Sequence, residues 1–153
     1  MPQQSPQHRI GDAARLSGVS AANIRYYEKE GLLRPGARGD NSYRFYSPSD
    51  LHRLRFIRLC RAMDMSLDEV RRLLAIDAAS AQAGHQACAT LDEHLAHVRE
   101  RLAALRVLEK ELRGLRSRCD GQAAHCQVID ALHERAEAQD VRLQPSAPAH
   151  RHV

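Results

Sequence analysis

Between about His85 and Arg118 the chain carries Leu91, Leu95, Val98, Leu102, Leu105, Leu108, Leu112 and Leu115, spaced 4, 3, 4, 3, 3, 4 and 3 residues apart. Apolar residues at this period line one side of an α-helix, and a seam of nearly heptad period asks for a partner helix. One spacing is short by a residue, as in a local stammer. The shorter helices expected elsewhere cannot cover a stripe of about thirty residues, so the spacing predicts a long helix that pairs with a second copy of itself.

The rest of the chain is small. With 153 residues there is room for one domain and an extension, and a large enzyme core is excluded. Two Phe, four Tyr and no Trp within 43% hydrophobic residues mean that Leu and Ala supply the apolar content, which favours helices over a β-sandwich. A mainly α fold is expected. No apolar run is long enough to cross a bilayer, and the polar start Met1 to Gln7 lacks the pattern of a secretion signal, so a cytoplasmic protein without membrane contact is expected. In that reducing compartment four cysteines read as metal ligands, reactive thiols or small core residues rather than disulfides.

Charge is divided along the chain. Residues 1–62 hold eleven Arg and Lys against five acids, a balance of +6; the total of +4 leaves −2 for residues 63–153. A basic first half suits a polyanion. There, Ile10 to Leu16 reads as a short helix closed by Ser17-Gly18, and Ser20 caps a second helix, Ala21 to Glu30, stopped at Gly31. Helix, tight turn, helix is the pattern of a groove-reading motif, with Asn23, Arg25, Tyr26 and Lys29 on the reading helix. The turn-rich stretch Leu32 to Tyr46, with Arg34, Arg38 and Arg44, reads as a hairpin wing able to straddle a phosphate backbone. Ser47-Pro48-Ser49-Asp50 starts a third helix through Leu51, Leu54, Ile57 and Leu59 to about Ala62. Ser66 and Glu69 form a capping box for a fourth, to about Ile76, with Val70, Leu73 and Leu74 inward. Cys60 reads as core. His94 and His97 on the long helix read as exposed or interfacial.

Ile10-Gly11, Ile24-Arg25-Tyr26-Tyr27-Glu28, Gly31-Leu32-Leu33, Tyr43-Arg44-Phe45-Tyr46 and Leu54-Arg55-Phe56-Ile57 resemble the MerR family of transcriptional regulators over about residues 8–135. The run Phe56 to Glu69, with Leu91-Asp92-Glu93-His94 and the segment closed by Cys119 and Cys126, is most similar to its cadmium- and lead-responsive branch, that of CadR and PbrR. The resemblance implies a winged helix-turn-helix domain at 8–76, a hinge at 77–84 and an antiparallel coiled-coil dimerisation helix at 85–118. A metal-binding loop with a short helix at 119–135 completes it; beyond the resemblance, residues 136–153, with Pro145, Pro148 and no apolar period, read as a disordered tail. The resemblance implies a homodimer on an overlong promoter spacer in double-stranded DNA. Metal binding there distorts the DNA so that RNA polymerase engages both promoter elements and transcribes metal-resistance genes.

On that pattern Arg25 and Tyr26 of the reading helix and Arg38, Tyr43 and Arg44 of the wing contact DNA, with Ser20, Asn23, Arg15 and Arg55 as further candidates. Cys119 and Cys126 ligate the metal. In the divalent-sensing relatives a further cysteine at the start of the long helix completes the site from the other subunit; that position here is Gly84, and Cys88 follows four residues later. Cys88 or His85 as third ligand favours Cd(II), Pb(II), Hg(II) or Zn(II); Cys119 and Cys126 alone suit Cu(I). His125 stands beside Cys126. A thiol sensor of oxidants or aldehydes, using Cys88 or Cys119 without metal, is the other reading. His150 and His152 read as a solvated tail. No catalytic constellation stands out, and an enzyme is not expected.

Overall fold

The computed structural model describes residues 7–35, 37–38, 43–119, 121 and 126–139. Its contacts divide the chain into two units, residues 1–96 and 97–153, with the boundary inside one helix. The tail from residue 140 onward, including His150 and His152, and also His125 lie outside the described residues.

The first unit begins with strand β1 (His8–Arg9), then helices α1 (Ile10–Ser17) and α2 (Ala21–Lys29). Gly18, at φ 73°, closes α1 in the left-handed region, and its N–H donates to the Ala14 carbonyl at 2.9 Å. Ser20 caps α2 by accepting from the Asn23 N–H at 3.2 Å. Strands β2 (Ala37–Arg38) and β3 (Arg44–Tyr46) follow. The three strands form an antiparallel sheet in the order β1-β3-β2, with His8 opposite Tyr46 and Arg38 opposite Arg44. The turn chemistry of residues 32–46 points to β2 and β3. Strand β1 has no such signal, because two residues are too few for a period and its register exists only through β3.

Helix α3 (Pro48–Ala62) starts with a complete capping box: Ser47 Oγ accepts from the Asp50 N–H at 3.1 Å and Asp50 accepts from the Ser47 N–H at 2.8 Å. Leu51, Leu54, Ile57 and Cys60 are its buried face. Cys60 is core, as its apolar neighbours imply, and burial pushes its thiol pKa up. Two α3 arginines donate to carbonyls that the last turn of α1 leaves open, Arg55 to Leu16 at 3.0 Å and Arg58 to Ser17 at 3.1 Å, and Arg53 donates to the Leu32 carbonyl beyond α2 at 2.6 Å. A Schellman turn ends α3, with the Met65 N–H on the Cys60 carbonyl, the Asp64 N–H on that of Arg61, and Asp64 at φ 64°. Helix α4 (Leu67–Ala75) opens on the Ser66–Glu69 capping box. Val70 is fully buried and Leu73 and Leu74 are partly buried against the same core as Ile24, Tyr46, Leu54 and Met65.

Helix α5 (Ala83–Arg116) is 34 residues long, starting two residues before the sequence expectation and ending two before it. Its first fourteen residues belong to the first unit, where the structure corrects the reading of His94: the residue is only 8% exposed. Nε2 lies 2.9 Å from the Met63 carbonyl and Nδ1 3.2 Å from the Glu69 carboxylate. These polar partners, 25 and 31 residues upstream, are what make its burial tolerable.

In the second unit, the end of α5 and helix α6 (Gln127–Gln139) bury Leu115 and Ala131, and α6 corrects the expected bounds: residues 136–139, read as disordered tail, are helical. Leu102, Leu105, Leu108 and Leu112 remain about half exposed. Ile129 and Leu132 of α6 are also about half exposed, whereas the small Ala131 is buried.

Candidate nucleic-acid interface and thiol loop

The reading helix divides by face. Ile24, Tyr27 and Glu28 are buried, while Arg25 is exposed and Tyr26 is 44% exposed. Tyr27 is therefore core, and burial raises the pKa of its phenol. Asn23 is half-buried, and Ser20 is exposed with its hydroxyl committed to capping α2. Arg15 lies exposed beside Asp12 at 3.8 Å. Arg55 donates through Nε and Nη2 to Leu16 O, so its first task is structural.

The wing is anchored on a buried acid. Glu28 accepts from Tyr46 Oη at 2.6 Å and pairs with Arg44. Burial and Glu28 together push the Tyr46 pKa far above its ordinary value. Arg44 thus spends one guanidinium nitrogen on the protein interior, though its side chain stays 39% exposed. Tyr43 is 56% exposed, and the Arg9 guanidinium lies over its ring at 5.1 Å. The side chain of Arg38 lies outside the described residues. Arg9, Arg25, Tyr43 and Arg44, with Asp12 and the α1 start, line a cleft of about 610 Å³. Neither Arg9 nor the role of Glu28 was legible in the sequence. Pairing of β1 with β3 brings Arg9 in, and the one available hint for Glu28 was an acid beside two tyrosines in a basic helix.

The cysteines separate by exposure. Cys88, Cys119 and Cys126 are exposed and free, and Cys60 is buried. Cys119 follows the end of α5, its N–H on the Arg116 carbonyl at 3.1 Å. The Cys126 carbonyl accepts the first N–H groups of α6, from Ile129 at 3.0 Å and Asp130 at 3.2 Å. The two thiols thus mark the helix ends on either side of the loop, with Gly121 in the left-handed region between them at φ 73°. Soft thiolates on exposed helix ends fit a thiophilic ion in donor chemistry. His85 and Cys88 are both exposed on the first turns of α5. A Cβ at Gly84 would meet open space, so packing does not demand glycine there.

A helix-turn-helix with a strand-built wing, with Arg25, Tyr26 and Tyr43 outward, defines a DNA-binding protein of the winged helix-turn-helix class. Residues 8–76 match the family described as MerR HTH family regulatory protein, and residues 51–115 match its MerR, DNA binding segment. The chain is 35% identical over 137 residues to the HTH-type transcriptional regulator HmrR of Sinorhizobium medicae (strain WSM419), covering 89% of this chain and 93% of that protein. It is 34% identical to the HTH-type transcriptional regulator ZntR of Escherichia coli (strain K12), covering 84% and 94%. Among solved structures it is similar to the transcription regulator PbrR691 from Ralstonia metallidurans CH34 in complex with lead(II), at 39% identity and a TM-score of 0.69, covering 82% of this chain and 98% of that one. The chain belongs to the MerR family of transcriptional regulators, and it is a regulator rather than an enzyme. Among the described residues no helix is long and apolar enough to cross a membrane.

Proposed function

We propose that this chain is a metal-responsive regulator that binds promoter DNA as a homodimer and activates transcription when a soft divalent ion binds. Cd(II) and Pb(II) are the effectors the reading favours, with Zn(II) and Hg(II) as further candidates. The observation that carries it is two exposed thiols, Cys119 after the end of α5 and Cys126 before the start of α6, with a third exposed thiol, Cys88, on α5. The lead complex of the similar regulator PbrR691 supports a metal as the signal.

In this reading Arg25 and Tyr26 enter the groove while Tyr43, Arg38 and Arg44 hold the flanking backbone, with Arg15, Ser20, Asn23 and Arg55 beside them. The open leucine stripe of α5 is the dimer seam. Cys119 and Cys126 hold the ion, and Cys88 or His85 of the second copy supplies the third donor in place of the side chain that Gly84 lacks; His125 is a weaker candidate. An effector shifts a protein between two states only through different affinities for them. Here the favoured state is one that bends and untwists an overlong promoter spacer so that RNA polymerase meets both promoter elements.

The test is anaerobic titration of reduced protein with Cd(II) and, separately, Cu(I), following thiolate-to-metal absorption in the wild type and in Cys88→Ser. Loss of the Cd(II) signal in the variant supports the three-donor divalent site. An unchanged Cd(II) signal moves the third donor to His85, and a response to Cu(I) alone points to a two-thiolate site. No metal signal at all overturns the reading in favour of a thiol-redox sensor.

A further inference from the structure

Arg9 lies before the helix-turn-helix, in a strand of two residues, yet β1 pairs with β3 and carries its guanidinium to 5.1 Å from the Tyr43 ring centroid. Both groups line the 610 Å³ cleft that also receives Arg25, Arg44 and the first residues of α1. The charges differ in availability. Arg44 is paired with buried Glu28, and Asp12 lies beside Arg15. Arg9 and Arg25 are exposed and make no ion pair among the described residues. Two uncompensated guanidiniums across a cleft open at Gly11, where an added Cβ would meet nothing within 4 Å, match one anionic tetrahedral group.

We propose that Arg9 is a DNA-contacting residue that, together with Arg25, seats one backbone phosphate of the promoter in this cleft, with the Tyr43 ring holding Arg9 in place. The assignment rests on the DNA-binding reading above and adds a contact outside both the reading helix and the β2–β3 hairpin. A phosphate contact contributes equally on every sequence, and it appears in the salt dependence of binding.

The experiment measures affinity for an operator duplex and a scrambled duplex between 50 and 200 mM salt, in the wild-type dimer, Arg9→Ala and Arg9→Lys. Loss of one contact lowers the slope of log K against log salt by about 0.9 on both duplexes, and lysine restores it. A slope in Arg9→Ala equal to that of the wild type overturns the assignment, even where affinity falls, because Arg9 then acts only by bracing the wing. A wild type that binds neither duplex overturns the DNA-binding reading as well, so the two failures are distinct. Far-ultraviolet circular dichroism and thermal melts of both variants separate a lost contact from a lost fold.

Discussion

The Tyr46 hydroxyl donates to the Glu28 carboxylate at 2.6 Å, joining the last residue of the wing to the inner face of the reading helix. Both residues are buried, and Arg44 brings the compensating charge from the same strand. Unpaired, the Glu28 carboxylate would be costly to bury. The pair therefore fixes the angle between the two DNA-facing elements as well as contributing stability.

Tyr46→Phe removes that hydrogen bond to a charged acceptor and should cost about 1.5–3 kcal/mol at pH 7 by urea unfolding. The raised pKa of Tyr46, caused first by burial and next by Glu28, adds a pH signature. The folded state holds the phenol proton more tightly than the unfolded chain, so this contribution is whole below pH of about 10 and falls as the pH rises beyond it. Tyr27, also raised by burial, adds to the same loss. The wild type should lose stability steeply above that pH, and Tyr46→Phe less steeply; equal slopes would contradict the assignment.

Gly18→Ala should destabilise the first unit. The position has φ 73°, and a Cβ there would stand 1.8 Å from Arg58 Nη1, which now donates to the Ser17 carbonyl. Left-handed backbone costs a non-glycine residue about 1–2 kcal/mol, and moving Arg58 forfeits its hydrogen bond in addition. A thermal melt lowered by several degrees is expected, and an unchanged melt would show that the turn can relax.

His94→Ala should cost about 1–3 kcal/mol, since it withdraws both polar contacts that join α5 to Glu69 and to Met63. Hydrogen exchange is the sharper readout. Faster exchange should be confined to the start of α4 and the neighbouring turns of α5, while α1 and α2 keep their protection; uniform acceleration would mean global loss instead.

Iodoacetamide should label three cysteines rapidly in the native, metal-free protein and the fourth only on unfolding. Cys88, Cys119 and Cys126 are exposed, whereas Cys60 is 2% exposed with its thiol pKa raised by burial. Cys60→Ser should leave the stoichiometry of Cd(II) titration unchanged; a reduced stoichiometry would bring Cys60 into the site against its burial.

Leu105→Glu should convert a dimer to a monomer in sedimentation while helical content is retained. Leu105 is 52% exposed within its own chain and lies mid-stripe, so the charge stays solvated in the monomer and is opposed only in a helix pair. A variant that still sediments as a dimer would place the seam on another face of α5.

The sequence by itself determined the helices. Ser20, the Ser47–Asp50 box, the Ser66–Glu69 box and Gly18 each act over three or four residues, so their effect is written where they stand, and the ends of α1 to α5 agree within about two residues, whereas α6 runs four residues past its expected end. It also marked Arg25 and Tyr26 as outward and Cys60 as inward. Tertiary structure alone decided the rest. Glu28 and Tyr46 are 18 residues apart, His94 and Met63 are 31 apart, and Arg9 reaches Tyr43 only through the pairing of β1 with β3. Whether a polar side chain is buried depends on acceptors brought by distant segments, and periodicity carries no information about them.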